Sequence, residues 1–215
     1  MAIKANPLQG LFDDYQHIDK RLFFILVCLI TFLLLFIKKS FIESRIAAFE
    51  ILEQRGEMGI YHLINALQYF SIPLVYLYKF TVSAFILWIG CFLFGYKVYY
   101  SRLWQWVMLG ECIFFIAEII KIGWFLFIQT DPELGDIRAF YPLSLMNLMD
   151  FREVPDRWHY PLKAVNVFEI MYWIFLVYSI QFLSGKKYSV SLKIVLSSYV
   201  FWFMAWLGFF VLVYK

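Results

Sequence analysis

From Leu103 to Gln129 the sequence stays apolar for the length of a membrane crossing, yet it carries Glu111, Glu118 and Lys121 within that run. A charge at the centre of a bilayer helix costs roughly 2.5–3.5 kcal/mol even on lenient insertion scales, so these side chains must face protein or water and not lipid. This helix is therefore expected to be the interior post of a bundle. The chain is 63% hydrophobic and 22% aromatic with 16% charged residues, a balance that calls for lipid as solvent and excludes an ordinary soluble domain. Its net charge of +3 leaves no nucleic-acid footprint, because the basic residues sit at the ends of apolar runs.

Around that post the sequence predicts an all-α fold: a polytopic membrane bundle of five spans, one amphipathic interfacial helix and a structured outer loop. Residues 1 to 21 read as a short cytoplasmic arm, with Pro7 and Gly10 interrupting any long helix. The spans fall at about 22–37, 73–94, 103–129, 165–183 and 192–214. The first has no small-residue cleavage pattern after it and is read as an uncleaved span within a single transmembrane domain, 22–215. Between spans one and two, Ser40 with Glu43 forms a capping box, and Ile42, Ile46, Phe49 and Ile51 recur at helical spacing. That pattern predicts an amphipathic helix over about 41–55, lying at the membrane interface or on the flank of the bundle.

Two connections, Gly95–Arg102 and Ser184–Ser191, are basic and free of acids, whereas the segment 130–164 mixes Asp131, Glu133, Asp136, Asp150, Glu153 and Asp156 with basic residues. The positive-inside rule then places the short loops and the amino terminus in the cytoplasm and the carboxyl terminus outside, in a bacterial inner membrane. Lys38 and Lys39 pull the other way. In the long loop, Pro142 is expected to start a short helix with Leu143, Met146 and Met149 or Leu145 on one side, and Pro155 and Pro161 bracket Asp156 to Tyr160. The loop is expected to fold back onto the bundle.

The ionisable residues inside the spans are the main candidates for function. Glu111, Glu118 and Lys121 can share a helix face, Lys79 falls in the outer half of the antiparallel second span, and Glu169 lies near the start of the fourth. Two readings compete for the cluster Lys79, Glu111, Glu118, Lys121 and Glu169. One is a proton, ion or polar-solute path; the other is a pair of charge-balanced contacts, Glu118–Lys121 and Lys79–Glu169, that hold the spans in register. No discontinuous helix of the transporter kind is evident from the sequence.

Enzyme motifs are missing: there is no His-Glu-x-x-His, no Gly-x-Ser-x-Gly, no Walker loop and no dinucleotide fingerprint. Cys28, Cys91 and Cys112 lie inside apolar runs without Cys-x-x-Cys spacing and read as packing residues. His17, His62 and His159 are too scattered to suggest a metal or haem. Asp150, Asp156, Trp158 and His159 are retained as outer-loop candidates, as an acid/base site or a solvated surface. The expectation is a protein without catalytic residues, cofactor or metal.

The carboxyl-terminal third reads Tyr141-Pro-Leu-Ser-Leu, then Asp150, then Tyr160-Pro-Leu-Lys-Ala-Val-Asn166-Val-Phe168-Glu-Ile-Met-Tyr172-Trp173. A polar loop with a short apolar helix, an Asn-x-Phe entry to an aromatic span, a basic turn and a last span together resemble bacterial members of the Yip1 family over roughly 141–214. The Tyr-Gly-Pro-type motif of eukaryotic members is absent from the amino-terminal boundary. The resemblance implies a non-enzymatic polytopic protein, a scaffold or accessory subunit with protein partners or copies of itself in the bilayer. The alternative is a small transporter or channel component.

Overall fold

The computed structural model describes Tyr15, residues 18–42 and residues 58–214. Most of the expected amphipathic helix, from residue 43 on, most of the amino-terminal arm and His17 lie outside the described residues.

The described chain is helical throughout, its strand content being one isolated bridge between Ser144 and Asn166. The helices are α1 (Lys20–Phe41), α2 (Met58–Leu93), α3 (Tyr100–Gly110), α4 (Cys112–Phe127), α5 (Leu134–Ala139), α6 (Asp156–Ala164), α7 (Val167–Ser184), α8 (Tyr188–Val195) and α9 (Phe201–Val213). A π-helical turn, Leu196–Val200, joins α8 to α9, and a 3-10 turn spans Leu145–Leu148. Four stretches are long and apolar enough to cross a membrane: Lys20–Phe41, Leu63–Leu93, Val167–Ser184 and Tyr188–Val213.

Local chemistry sets the helix ends. Asp19 caps α1, its side chain accepting from the Arg21 amide at 2.8 Å, and Lys38 and Lys39 lie in the last turn, where the helix dipole favours cations. Asn166 does the same for α7 by accepting from the Glu169 amide at 2.9 Å, and Gly185, at φ 65°, supplies the left-handed residue that ends it. α2 begins well before Pro73 and runs through it, so the helix is longer than the span expected over 73–94. Proline removes one backbone donor, but a long apolar helix held by neighbours tolerates that loss. At 36 residues α2 is roughly 54 Å long and so extends beyond a hydrocarbon core of about 30 Å.

The expected third span is interrupted. α3 and α4 meet at Glu111, whose amide donates to Met108 O at 3.2 Å in a tightened turn. Gly110 sits at this junction because the Tyr172 ring fills the space beside it: a Cβ there would stand 2.4 Å from the ring. α2 approaches the π-helical turn in the same way, with a Cβ on Gly90 falling 2.7 Å from Ser198. Between these two close approaches lies the main core, with Phe80, Ala84 and Leu87 of α2, Leu103 and Met108 of α3, Tyr172, Leu176 and Ile180 of α7, and Ile194 of α8.

The segment between α4 and α7 folds back on the end of the bundle. Phe140 stacks on Trp124 at 5.1 Å and meets Phe125 edge-on at 5.5 Å, while Ile137 joins Ile42, Ile122 and Phe125 in a second apolar cluster. Leu145 N to Val165 O (3.1 Å) and Val167 N to Leu143 O (3.2 Å) tie the loop to the start of α7. The helix expected to begin at Pro142 is instead a turn with Leu143 at φ 54°, followed by the 3-10 turn. Of the four side chains expected to share an apolar side, Met146 alone is buried; Leu143, Leu145 and Met149 are exposed. Pro155 caps α6, and Pro161 lies inside that helix.

Candidate functional site

A cavity of about 490 Å³ lies between α1, α2 and the α3–α4 junction. Helical spacing accounts for its walls. α1 contributes Thr31, Leu34, Leu35 and Lys38, α2 contributes Gln68, Ser71, Ile72, Val75, Tyr76 and Lys79, and the broken helix contributes Glu111, Phe114, Phe115 and Glu118. These positions recur three and four residues apart, so each helix presents one stripe. Tyr141, from the turn after α5, completes the lining.

Lys79 and Glu111 meet in this cavity. The ammonium lies 2.8 Å from each carboxylate oxygen, and it stands over the Phe114 ring at 4.7 Å from its centre. The pair is asymmetric: the Glu111 side chain is 6% exposed and that of Lys79 40%, so the lysine is the more open of the two cavity-lining members. Two turns along the same face, Glu118 also lines it, and among the described residues no hydrogen bond or ion pair reaches its carboxylate. The Thr31 hydroxyl stands 2.8 Å from that of Tyr76. Burial, then the charges of Glu118, Glu169 and Glu111, hold the Tyr141 phenol above the usual tyrosine range, which keeps it a proton donor.

The charge pairing expected from the sequence is therefore corrected. Lys79 pairs with Glu111 and not with Glu169, and Lys121 does not pair with Glu118 but donates to Ile137 O at 2.9 Å and Phe140 O at 2.7 Å. At 3.6 residues per turn, the ten residues from Glu111 to Lys121 leave it about 80° around the helix, facing the folded-back segment. Glu169 accepts from the Trp173 indole at 2.8 Å and the Tyr199 hydroxyl at 3.2 Å. Thus Lys79, Glu111 and Glu118 come together, while Lys121 and Glu169 serve other contacts.

The outer-loop candidates form a separate, shallow feature. His159 stacks on Phe151 with ring centres 4.0 Å apart, its Nε2 lies 2.8 Å from Val154 O, and its Nδ1 lies 3.6 Å from the well-exposed Asp156. Asp150 accepts from the Arg152 amide at 2.9 Å, and Trp158 lines a groove with Leu148, Met149 and Pro155. Among the described residues no three His, Cys, Asp or Glu side chains gather as metal ligands. Lys163 nearby donates to Arg138 O at 2.8 Å, and burial, with Arg138 and Lys38 adding to it, holds its ammonium below the ordinary lysine range.

Thr31, Gln68, Ser71, Tyr76 and Tyr141 escaped the sequence reading. Part of the signal was present, since Gln68, Ile72, Val75 and Lys79 repeat on one face of α2; the contribution of Tyr141 depends on a turn that no periodicity encodes. The described residues form an all-helical fold with four helices long and apolar enough to cross a membrane. No protein-family model, curated protein or solved structure matches the chain.

Proposed function

We propose that this chain is an integral membrane protein of five crossings, the third being α3 with α4, and that it works as a small transporter or channel component whose cavity passes or holds a proton, an ion or a small polar solute. The observation that carries this reading is the Glu118 carboxylate, unpaired among the described residues, in a cavity whose other acid, Glu111, is neutralised by Lys79. Ionisable side chains facing a cavity between apolar helices mark such routes.

The topology reading has independent support. Lys20 donates to Ser101 O at 3.2 Å, and the Lys186 ammonium stands 5.6 Å from the Tyr96 ring centre, so the basic start of α1 and both acid-free connections gather at one end. The positive-inside rule makes that end cytoplasmic, with the carboxyl terminus across a bacterial inner membrane. Reconstitution into liposomes carrying a pH-sensitive dye tests the function. Proton flux above that of empty liposomes, lost in Glu118→Gln at equal protein level, is the expected result; unchanged flux in the variant contradicts it.

A second reading, a Yip1-like scaffold or accessory subunit, is supported by the exposed aromatic face of α9, where Phe201, Trp202, Trp206 and Phe209 present ring surface. On that reading Glu118→Gln leaves flux untouched and lowers abundance or removes a co-purifying protein.

A further inference from the structure

Lys79 shows what this cavity does with an ammonium: it pairs it with a carboxylate and sets it on an aromatic face. Glu118 stands seven residues after Glu111, so it repeats the carboxylate two turns along the same stripe, roughly 10 Å away. Phe115 and Tyr141 line the cavity as Phe114 does, but no lysine or arginine of the described chain completes the second arrangement.

We infer that the cavity takes an ammonium group from a ligand, with the Glu118 carboxylate as counter-charge and the Phe115 and Tyr141 rings as its aromatic neighbours. This rests on the proposed function and names the ligand chemistry of the same cavity. An anionic ligand is a poorer fit, since Lys79 is held by both oxygens of Glu111 and Lys38 has contacts of its own. A hard metal ion is poorer still: it takes six or more oxygens, and no cluster of three metal-ligating side chains is present among the described residues. Ammonium groups, in contrast, are stabilised by a carboxylate together with ring faces.

The probe is n-octylammonium, with 1-octanol as the uncharged comparison, added to the full chain in detergent and read by native mass spectrometry. Saturable one-to-one binding of octylammonium, at least about tenfold tighter than octanol, is expected. Glu118→Gln should remove that preference and Glu118→Asp should keep most of it. Equal binding of the two probes to the unsubstituted protein overturns the inference without recourse to any variant, and so does octylammonium binding that survives Glu118→Gln. Competition by a phosphatidylethanolamine would identify a lipid headgroup as the natural source of the ammonium, and its failure to compete a water-borne amine; both support the shared chemistry. If Ser71→Cys reacts with a polar thiol reagent but octylammonium does not bind, this inference fails alone. If neither enters, the path reading fails with it.

Discussion

Glu111 and Glu169 are both buried carboxylates among apolar helices, and the structure satisfies them in opposite ways. Glu169 is held by neutral donors, the Trp173 indole and the Tyr199 hydroxyl, inside the aromatic packing of α7 and the π-helical turn. Glu111 is held by a full counter-charge, and that counter-charge faces a cavity. A buried acid supplied with neutral donors is part of the packing. One that needs a half-exposed lysine, in a cavity whose second acid meets no hydrogen-bond or ion-pair partner among the described residues, marks a candidate polar site. The comparison thus separates residues that the sequence presents as equivalents.

Substitutions can break or sharpen it. The largest effect is expected at Glu111→Ala, which removes the counter-charge of Lys79 and should destabilise the protein by about 2–3 kcal/mol in a detergent-unfolding titration, less than for a fully buried pair because Lys79 is half-exposed. Glu111→Met with Lys79→Met should recover much of that loss, because neither charge is then left alone. Gly110→Ala comes next: its added methyl meets the Tyr172 ring, and overpacking of this kind costs about 1–3 kcal/mol. Gly123→Ala, with nothing within 4 Å, should be neutral or slightly stabilising by the same titration. Glu169→Gln should cost about 1 kcal/mol or less, since the amide oxygen can still accept from Trp173 and Tyr199. A loss at Glu169→Gln as large as that at Glu111→Ala would erase the distinction. A similarly small effect belongs to Glu133→Gln, whose partner Arg152 is as exposed as the glutamate; unfolding should stay within about 0.5 kcal/mol of the unsubstituted chain.

Hydropathy made the helical, membrane-type character of the chain legible, and the charges in the 103–129 run pointed to buried contacts of the kind Glu111 and Lys121 make. What the sequence could not supply was register. Whether Lys79 meets Glu111 or Glu169 depends on how α2 slides and turns against α3 and α7, which is decided by the close approaches at Gly90 and Gly110. The turn at Glu111 was only partly legible: Gly110 beside it is a poor helix former and marks a weak point, but the tightened turn itself arises in tertiary packing. Lys121 was misplaced because its three-residue spacing from Glu118 permits a pair without requiring one; its partners are carbonyls of a segment whose fold-back follows from aromatic stacking on Trp124. The π-helical turn beside Ser198 likewise has no periodic signature.

The central claim is that polar access reaches the level of Thr31 and Tyr76, beside the Lys79–Glu111 pair. Its most direct test places a cysteine at Thr31 in a chain whose Cys28, Cys91 and Cys112 are replaced by serine or alanine, and follows reaction with a charged, membrane-impermeant thiol reagent in intact vesicles. The account predicts modification from one side of the membrane, slowed when Leu35 is enlarged to Trp to narrow the cavity. No reaction at residue 31 from either side, in protein that reacts normally at an exposed cysteine introduced at Tyr99, would contradict it.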